Sequence, residues 1–150
     1  MSIKDYRLYS FTNMYLSSIQ KGIQTAHIVS DMSALWCDNG PDPIVKKVFD
    51  DWADIDKTII VLNGGNQKSL EEIYVSLELF GYEHSLPTAR FYEDQESLGG
   101  ALTAVGIILP IEIYELAASM RGIQYDPFSE GITPTTRNFI NALNKCGLAN

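Results

Sequence analysis

The chain is poor in the residues that most often announce chemistry. Its two cysteines, Cys37 and Cys146, have neither the spacing of a metal site nor the density of a disulfide scaffold, and read as reduced thiols. Its two histidines, His27 and His84, have no cysteine near them, so no structural zinc site, metal or other cofactor is expected. No G-x-S-x-G element and no Cys–His pairing suggests a serine or cysteine nucleophile. No apolar run approaches the roughly 20 residues that span a bilayer, so no membrane partner is expected. The opening "MSIKDYRLYS" has no basic-then-apolar leader, which predicts a cytoplasmic setting.

Positive charge is scarce as well. Eleven Lys and Arg stand against nineteen Asp and Glu, a net charge of −8. Duplexes and folded RNAs are held mainly by Lys and Arg that neutralise phosphates, and no basic run or stripe is present. A large nucleic acid is therefore a poor partner. A small nucleotide-like ligand needs only a few donors and stays open. The rest is ordinary globular composition, 45% apolar and 20% charged in 150 residues, without repeats, low-complexity segments or linkers. That predicts one domain, residues 1–150, with a real core.

The apolar pattern predicts the order β-α-α-β-α-β-β-α-α. "RLYSFTNMYL" (7–16) alternates like a strand, and Ser17 or Ser18 is placed to cap a helix over about Ile19–Leu35. "DNGPDP" (38–43) breaks it, and Ile44, Val45, Val48, Phe49 and Trp52 share one face of the next helix. "KTIIVLNGGN" (57–66) is apolar on both faces, which predicts a central, twice-covered strand. Ser69-x-x-Glu72 has the form of a capping box, and Gly81 suits the end of that helix. "TARFYE" (88–93) and "LTAVGIILP" (102–110) read as strands. "PIEIYELAASMRG" opens with Pro in the first turn and closes on Gly122, and a last helix carries Phe139, Ile140 and Leu143. A crossover helix favours parallel pairing, and the short link between the last two strands allows a hairpin. The expected fold is α/β: a mixed central sheet of about four strands with helices on both faces.

The stretch "YLSSIQKGIQTAHIVSDM" (15–32) carries the main question. Gln20, Gln24, His27 and Asp31 fall at i, i+4, i+7 and i+11, on one helix face, with Ile19, Ile23, Ala26 and Val29 expected toward the sheet. By spacing alone this is a solvated stripe. Its place after a strand, where α/β sheets put their ligands, makes it a candidate site. His27 is the natural proton-transfer group, unless it only hydrogen-bonds at a sheet–helix junction. Gln24 suits a carbonyl, phosphate or water, unless it is a surface amide. Glu93 and Asp94 serve as base or as the partner that orients His27, or merely solvate a turn. Asn63-Gly64-Gly65-Asn66 offers backbone N–H groups to an anion, or is a plain turn. Arg90 pairs with Glu93 or holds an anion, and His84 reads as surface.

Gln24-Thr25-Ala26-His27 after a strand resembles the A-Q-x-x-H helix signature of type II peptidyl-tRNA hydrolases. The "KTIIVLNGG" strand, the helix to Gly81, the acidic turn "FYED" and "LTAVGIILP", similar to the family's Thr-to-Pro strand, follow in order. The resemblance covers about residues 5–112, leaving 113–150 as a helical extension. It implies that family's scaffold, with a site on the first helix and the acidic turn. The family's lysine four residues before the glutamine is Gln20 here, with Lys21 one residue off the face. Its aspartate has no clean counterpart beyond Glu93 and Asp94, and its basic surface for tRNA is missing.

The expected function is a metal-independent hydrolase that cleaves a phosphodiester in a small signalling nucleotide. Its catalytic set is His27, Gln24, Glu93 and Asp94; its substrate contacts are Gln20, Lys21, Asp31, Asn63, Gly64, Gly65, Asn66 and Arg90. A tail-free chain of this size fits a phage product that disarms such a signal, with a homodimer as its assembly. The alternatives are a protein that sequesters the nucleotide, a peptidyl-tRNA hydrolase proper, and a protein-binding module using Tyr6, Tyr9, Phe11 and Tyr15.

Overall fold

A computed structural model describes residues 5–36, 42–94, 100–121 and 132–149. Four strands, β1 (Tyr6–Thr12), β2 (Thr58–Asn63), β3 (Thr88–Tyr92) and β4 (Leu102–Pro110), form one sheet in the order β2-β1-β4-β3. The helices are α1 (Ser18–Trp36), α2 (Pro43–Asp51), α3 (Gln67–His84), α4 (Ile111–Ser119) and α5 (Pro134–Lys145), with a π-helical turn, Trp52–Asp56, continuing α2. The order is the one the apolar pattern predicts. β1 and β2 pair in parallel across their crossover, β3 and β4 form the antiparallel hairpin, and β4 also runs antiparallel to β1.

The two central strands are the most buried, as the long apolar run of β4 requires: Leu102 through Leu109 are all buried. α1 lies on one face, where the backbone of Gly106 admits Ile28 and Met32. α3 lies on the other, with Gly81 beside Thr88 and Ile107, and α5 packs against α3 through the Phe139–Phe80 ring stack at 4.5 Å. No helix among the described residues is long and apolar enough to cross a membrane.

Several local expectations change. β2 is an edge strand, with Thr58, Ile59 and Asn63 exposed; β-branched composition alone does not separate an edge from a centre. Its open side receives the C-terminal segment through a bridge between Leu62 and Leu148 and the bond from Ala149 N–H to Val61 O. The cap of α3 is Asn66, whose side chain accepts from Ser69 N–H, so Ser69 is the third helical residue and not the cap. The helix runs past Gly81 to His84 and ends with Ser85 in the left-handed region, at φ 54°. Gly81 serves close packing, because a Cβ there would meet Thr88 and the Leu86 carbonyl. Pro110 caps α4 from outside its first turn, and Ile44 is exposed on α2 while Val45, Val48, Phe49 and Trp52 are buried. Tyr6, Tyr9 and Phe11 are core residues, leaving only Tyr15 of that aromatic set on the surface, so the protein-binding surface expected there is not formed. Cys37, the break at 38–41, Gly122 and the loop 123–131 lie outside the described residues.

Candidate functional site

The first helix is turned differently from its polar spacing. The buried stripe of α1 is Lys21, Gln24, Thr25, Ile28 and Met32, at i, i+3, i+4, i+7 and i+11. Ile19, Ile23 and Ala26, expected toward the sheet, face solvent, and Val29 is half-buried. Gln20 is outside as well, where it closes a capping box: Ser17 N–H donates to its Oε1 at 2.9 Å and its own N–H donates to Ser17 Oγ at 3.2 Å. Asp31 is half-buried farther along the helix.

Hydrogen bonds hold the inverted half in place. The Thr25 hydroxyl donates to Lys21 O at 2.8 Å, which leaves its oxygen to accept from Ser10 Oγ of β1, also at 2.8 Å. Gln24, 4% exposed, donates from Nε2 to Glu93 Oε2 at 2.8 Å. Its Oε1 is buried and has no hydrogen-bond partner among the described residues. Lys21 is 7% exposed as a residue, but its ammonium is not among the sealed polar atoms: it has no hydrogen-bond or ion-pair partner among the described residues and reaches solvent. Glu93 follows β3, anchored by its N–H on Ala101 O, and its Oε1 accepts from Asp94 N–H at 3.3 Å. Asp94 is exposed beside it. At the same sheet edge Asn13 is buried, accepting from Tyr15 N–H, and Thr103 donates to Phe91 O.

His27 is exposed one turn from Gln24, and its ring lies flat on Phe91 of β3, with centroids 4.1 Å apart and planes within 2°. It makes no hydrogen bond or ion pair among the described residues, so neither Glu93 nor Asp94 orients it. The structure thus joins Gln24 to Glu93, with Lys21 one turn earlier on the same buried stripe, and leaves Asp94 and His27 exposed nearby.

The other candidates lie elsewhere. Three of the four donors of the glycine loop are spent: Asn63 N–H donates to Gly147 O, Gly64 N–H to Thr12 O, and Gly65 N–H to Asn63 Oδ1. Asn66 uses its side chain to cap α3, so the loop does not offer the row of open N–H groups expected of an anion cradle. Gly64 is needed because a Cβ would strike Leu70 and Phe11, and Gly65 because its φ is +80°. Asn63, Gly64 and Gly65 line a cleft of about 750 Å³ with Asn138, Asn141 and Lys145, on the α3–α5 side of the sheet and away from α1. Arg90 turns to that side too, over the rings of Tyr74 at 4.9 Å and Tyr92 at 5.3 Å, and does not pair with Glu93. His84 is exposed on α3, as expected, beside Thr136 Oγ1 at 3.3 Å. Cys146 is a free thiol whose pKa burial pushes up to about 11.

No protein-family model matches this chain, and no curated protein matches it. The likeness to type II peptidyl-tRNA hydrolases therefore rests on motif order and pattern. The pairing of Ser10 with Thr25 and the His27–Phe91 stack carry no local sequence signal, although 21-24-25-28-32 is a regular buried spacing once polar side chains are allowed inside.

Proposed function

We propose that the chain is a hydrolase of a small, anionic, nucleotide-like substrate, built on a scaffold of the type II peptidyl-tRNA hydrolase kind. One observation carries the reading: a Gln24–Glu93 pair whose remaining amide oxygen is buried without a partner among the described residues, with Lys21 one turn before Gln24 on the same helix stripe. The Lys21 ammonium, which reaches solvent, is available to pair with a bound phosphate. The Gln24 amide orientation is set by the Glu93 carboxylate, which leaves its Oε1 as an acceptor. A water donating to Gln24 Oε1 and to Glu93 is held with its lone pair free for attack, and Glu93 takes its proton. Lys21 neutralises the phosphate oxygens as negative charge builds. Cleavage of a phosphodiester then yields a phosphomonoester and an alcohol, the leaving oxygen being protonated from solvent at the open rim.

The His27–Phe91 stack supports the nucleotide-like class. The outer face of the His27 ring is exposed, and a base stacked on an aromatic ring gains about 1–3 kcal/mol whatever its identity. His27 thus serves as a stacking platform in this reading, in place of the proton donor its sequence position suggested. The net charge of −8 favours a small substrate over tRNA.

The test is incubation of the pure protein with a panel of linear and cyclic nucleotides, read by mass spectrometry. Turnover to a phosphomonoester is expected, falling about 10²- to 10⁴-fold in Glu93→Gln, which keeps an acceptor for Gln24 but cannot serve as the base. A nucleotide retained unchanged supports sequestration. Hydrolysis of peptidyl-tRNA, with every nucleotide left intact, restores the family's own substrate.

A further inference from the structure

A second cleft, of about 490 Å³, opens on the sheet face opposite α1, between β1 and β2 on one side and α4 and α5 on the other. Its walls are Tyr9, Leu62, Tyr114, Arg121 and Asn144, closed at one end by the C-terminal segment at Gly147 and Leu148. Clefts of this size are typical of small-molecule sites.

Three features point to what fits there. The Tyr9 side chain is 1% exposed; the Arg7 guanidinium nearby can only donate to its hydroxyl, whose proton has no acceptor among the described residues. Burial raises its pKa to about 12, against the pull of Arg7, so it is a donor at neutral pH. Arg121 and Arg7 approach one ring, that of Tyr114, with guanidinium carbons 5.8 Å and 5.7 Å from its centroid. Neither forms an ion pair with a carboxylate among the described residues. Arg121 gives its Nε–H to Asn144 Oδ1 at 3.2 Å, and Asn144 donates to Ala117 O at 2.9 Å, so the guanidinium is held in place while its outer fork makes no hydrogen bond among the described residues. Finally, Tyr9 and Tyr114 stack at 5.9 Å and 18°, which makes a flat aromatic wall. No side chain lining the cleft is acidic among the described residues.

We infer that this cleft is a second binding site, for a small planar ring carrying a phosphate or carboxylate group. The Arg121 fork receives the anion in bidentate fashion, Tyr9 Oη donates to the same group, and the ring lies along Tyr114. The site is separate from the Lys21–Gln24–Glu93 cluster, since the sheet lies between them, and it does not depend on that cluster's chemistry.

Phenyl phosphate is the probe, titrated into nitrogen-15-labelled full-length protein and followed by NMR, with inorganic phosphate and benzamidine as comparisons. Saturable shifts are expected at the Arg121 Nε–H, the Asn144 side-chain amide and the Gly147 amide, with weaker binding of inorganic phosphate and none of the cationic benzamidine. Tyr9→Phe should weaken phenyl phosphate about tenfold, one charge-assisted hydrogen bond, without lowering the melting temperature. Arg121→Gln should weaken it by at least as much. Three results each overturn the inference: no saturable shift, shifts undiminished in both variants, or shifts centred on Lys21 and Gln24.

Discussion

Replacing Lys21 by methionine separates a functional lysine from a structural one, because the two readings predict opposite signs. Methionine follows the same unbranched path as the lysine stem and fills the same space, so the packing under α1 survives. What disappears is an ammonium on a residue only 7% exposed that has no partner among the described residues. Exchanging a poorly compensated buried charge for an apolar side chain is neutral or stabilising by about 1–4 kcal/mol. The lower end applies here, because the ammonium tip is not fully sealed from water. At about 1 kcal/mol the melting temperature of a chain this size rises by about 2–4 °C. Substrate handling moves the other way. A charged hydrogen bond to phosphate is worth about 1.5–3 kcal/mol, so nucleotide retention should fall by about 10- to 150-fold, and turnover with it. Thermal melts and the nucleotide assay on the same preparation read both. A fall in melting temperature of several degrees would mean that Lys21 props up the fold. Unchanged retention and turnover would remove it from the site altogether.

The orientation of α1 predicts that Ile23→Gln, at a residue 50% exposed, alters stability by no more than about 0.5 kcal/mol, whereas a core isoleucine would cost several times that; urea unfolding decides it. Gly106→Ala should destabilise by about 1–3 kcal/mol in the same assay, since its Cβ would sit 2.5 Å from Ile28 Cγ2 and 3.3 Å from Tyr9 O. Cys146, with a pKa raised from 9.0 to about 11 by burial, should react with iodoacetamide at pH 8 about 100-fold more slowly in the folded chain than in urea. The linked stability has a definite sign: the fold favours the protonated thiol, so the contribution is complete below pH 9.0 and is lost as the pH rises through about 11.

The fold was legible because most of it obeys simple patterning. β4 is a continuous apolar run and is central, the helices of the latter half carry regular apolar spacing, and short links made the hairpin and the crossover the available pairings. The edge position of β2 was not legible, because what makes it an edge is which strand β1 pairs with on its other side, a non-local choice. The glycine loop misled for a related reason: Gly64 and Gly65 look like a phosphate cradle, but their N–H groups are consumed by β1 and by Asn63, contacts that no local spacing announces.

The misreading of α1 has a physical cause. Reading polar residues as outside places Gln20, Gln24, His27 and Asp31 together; the structure divides them, because Gln20 is used as a cap and Gln24 is pulled inward by Glu93, 69 residues away. The N-terminal half of the helix therefore buries Lys21, Gln24 and Thr25 and leaves Ile19 and Ile23 in water, against the transfer preference of every one of them. Farther along, at Ile28 and Met32, ordinary amphipathicity resumes. A helix that inverts its polarity for two turns and then corrects it is not misfolded, since Ser10–Thr25 and Gln24–Glu93 fix the inverted part to β1 and to the segment after β3. Places where local preference is overruled by specific long-range bonds are where functional sites are expected. In this chain the rule picks out Lys21 and Gln24, and the Oε1 of Gln24 is buried without a partner among the described residues.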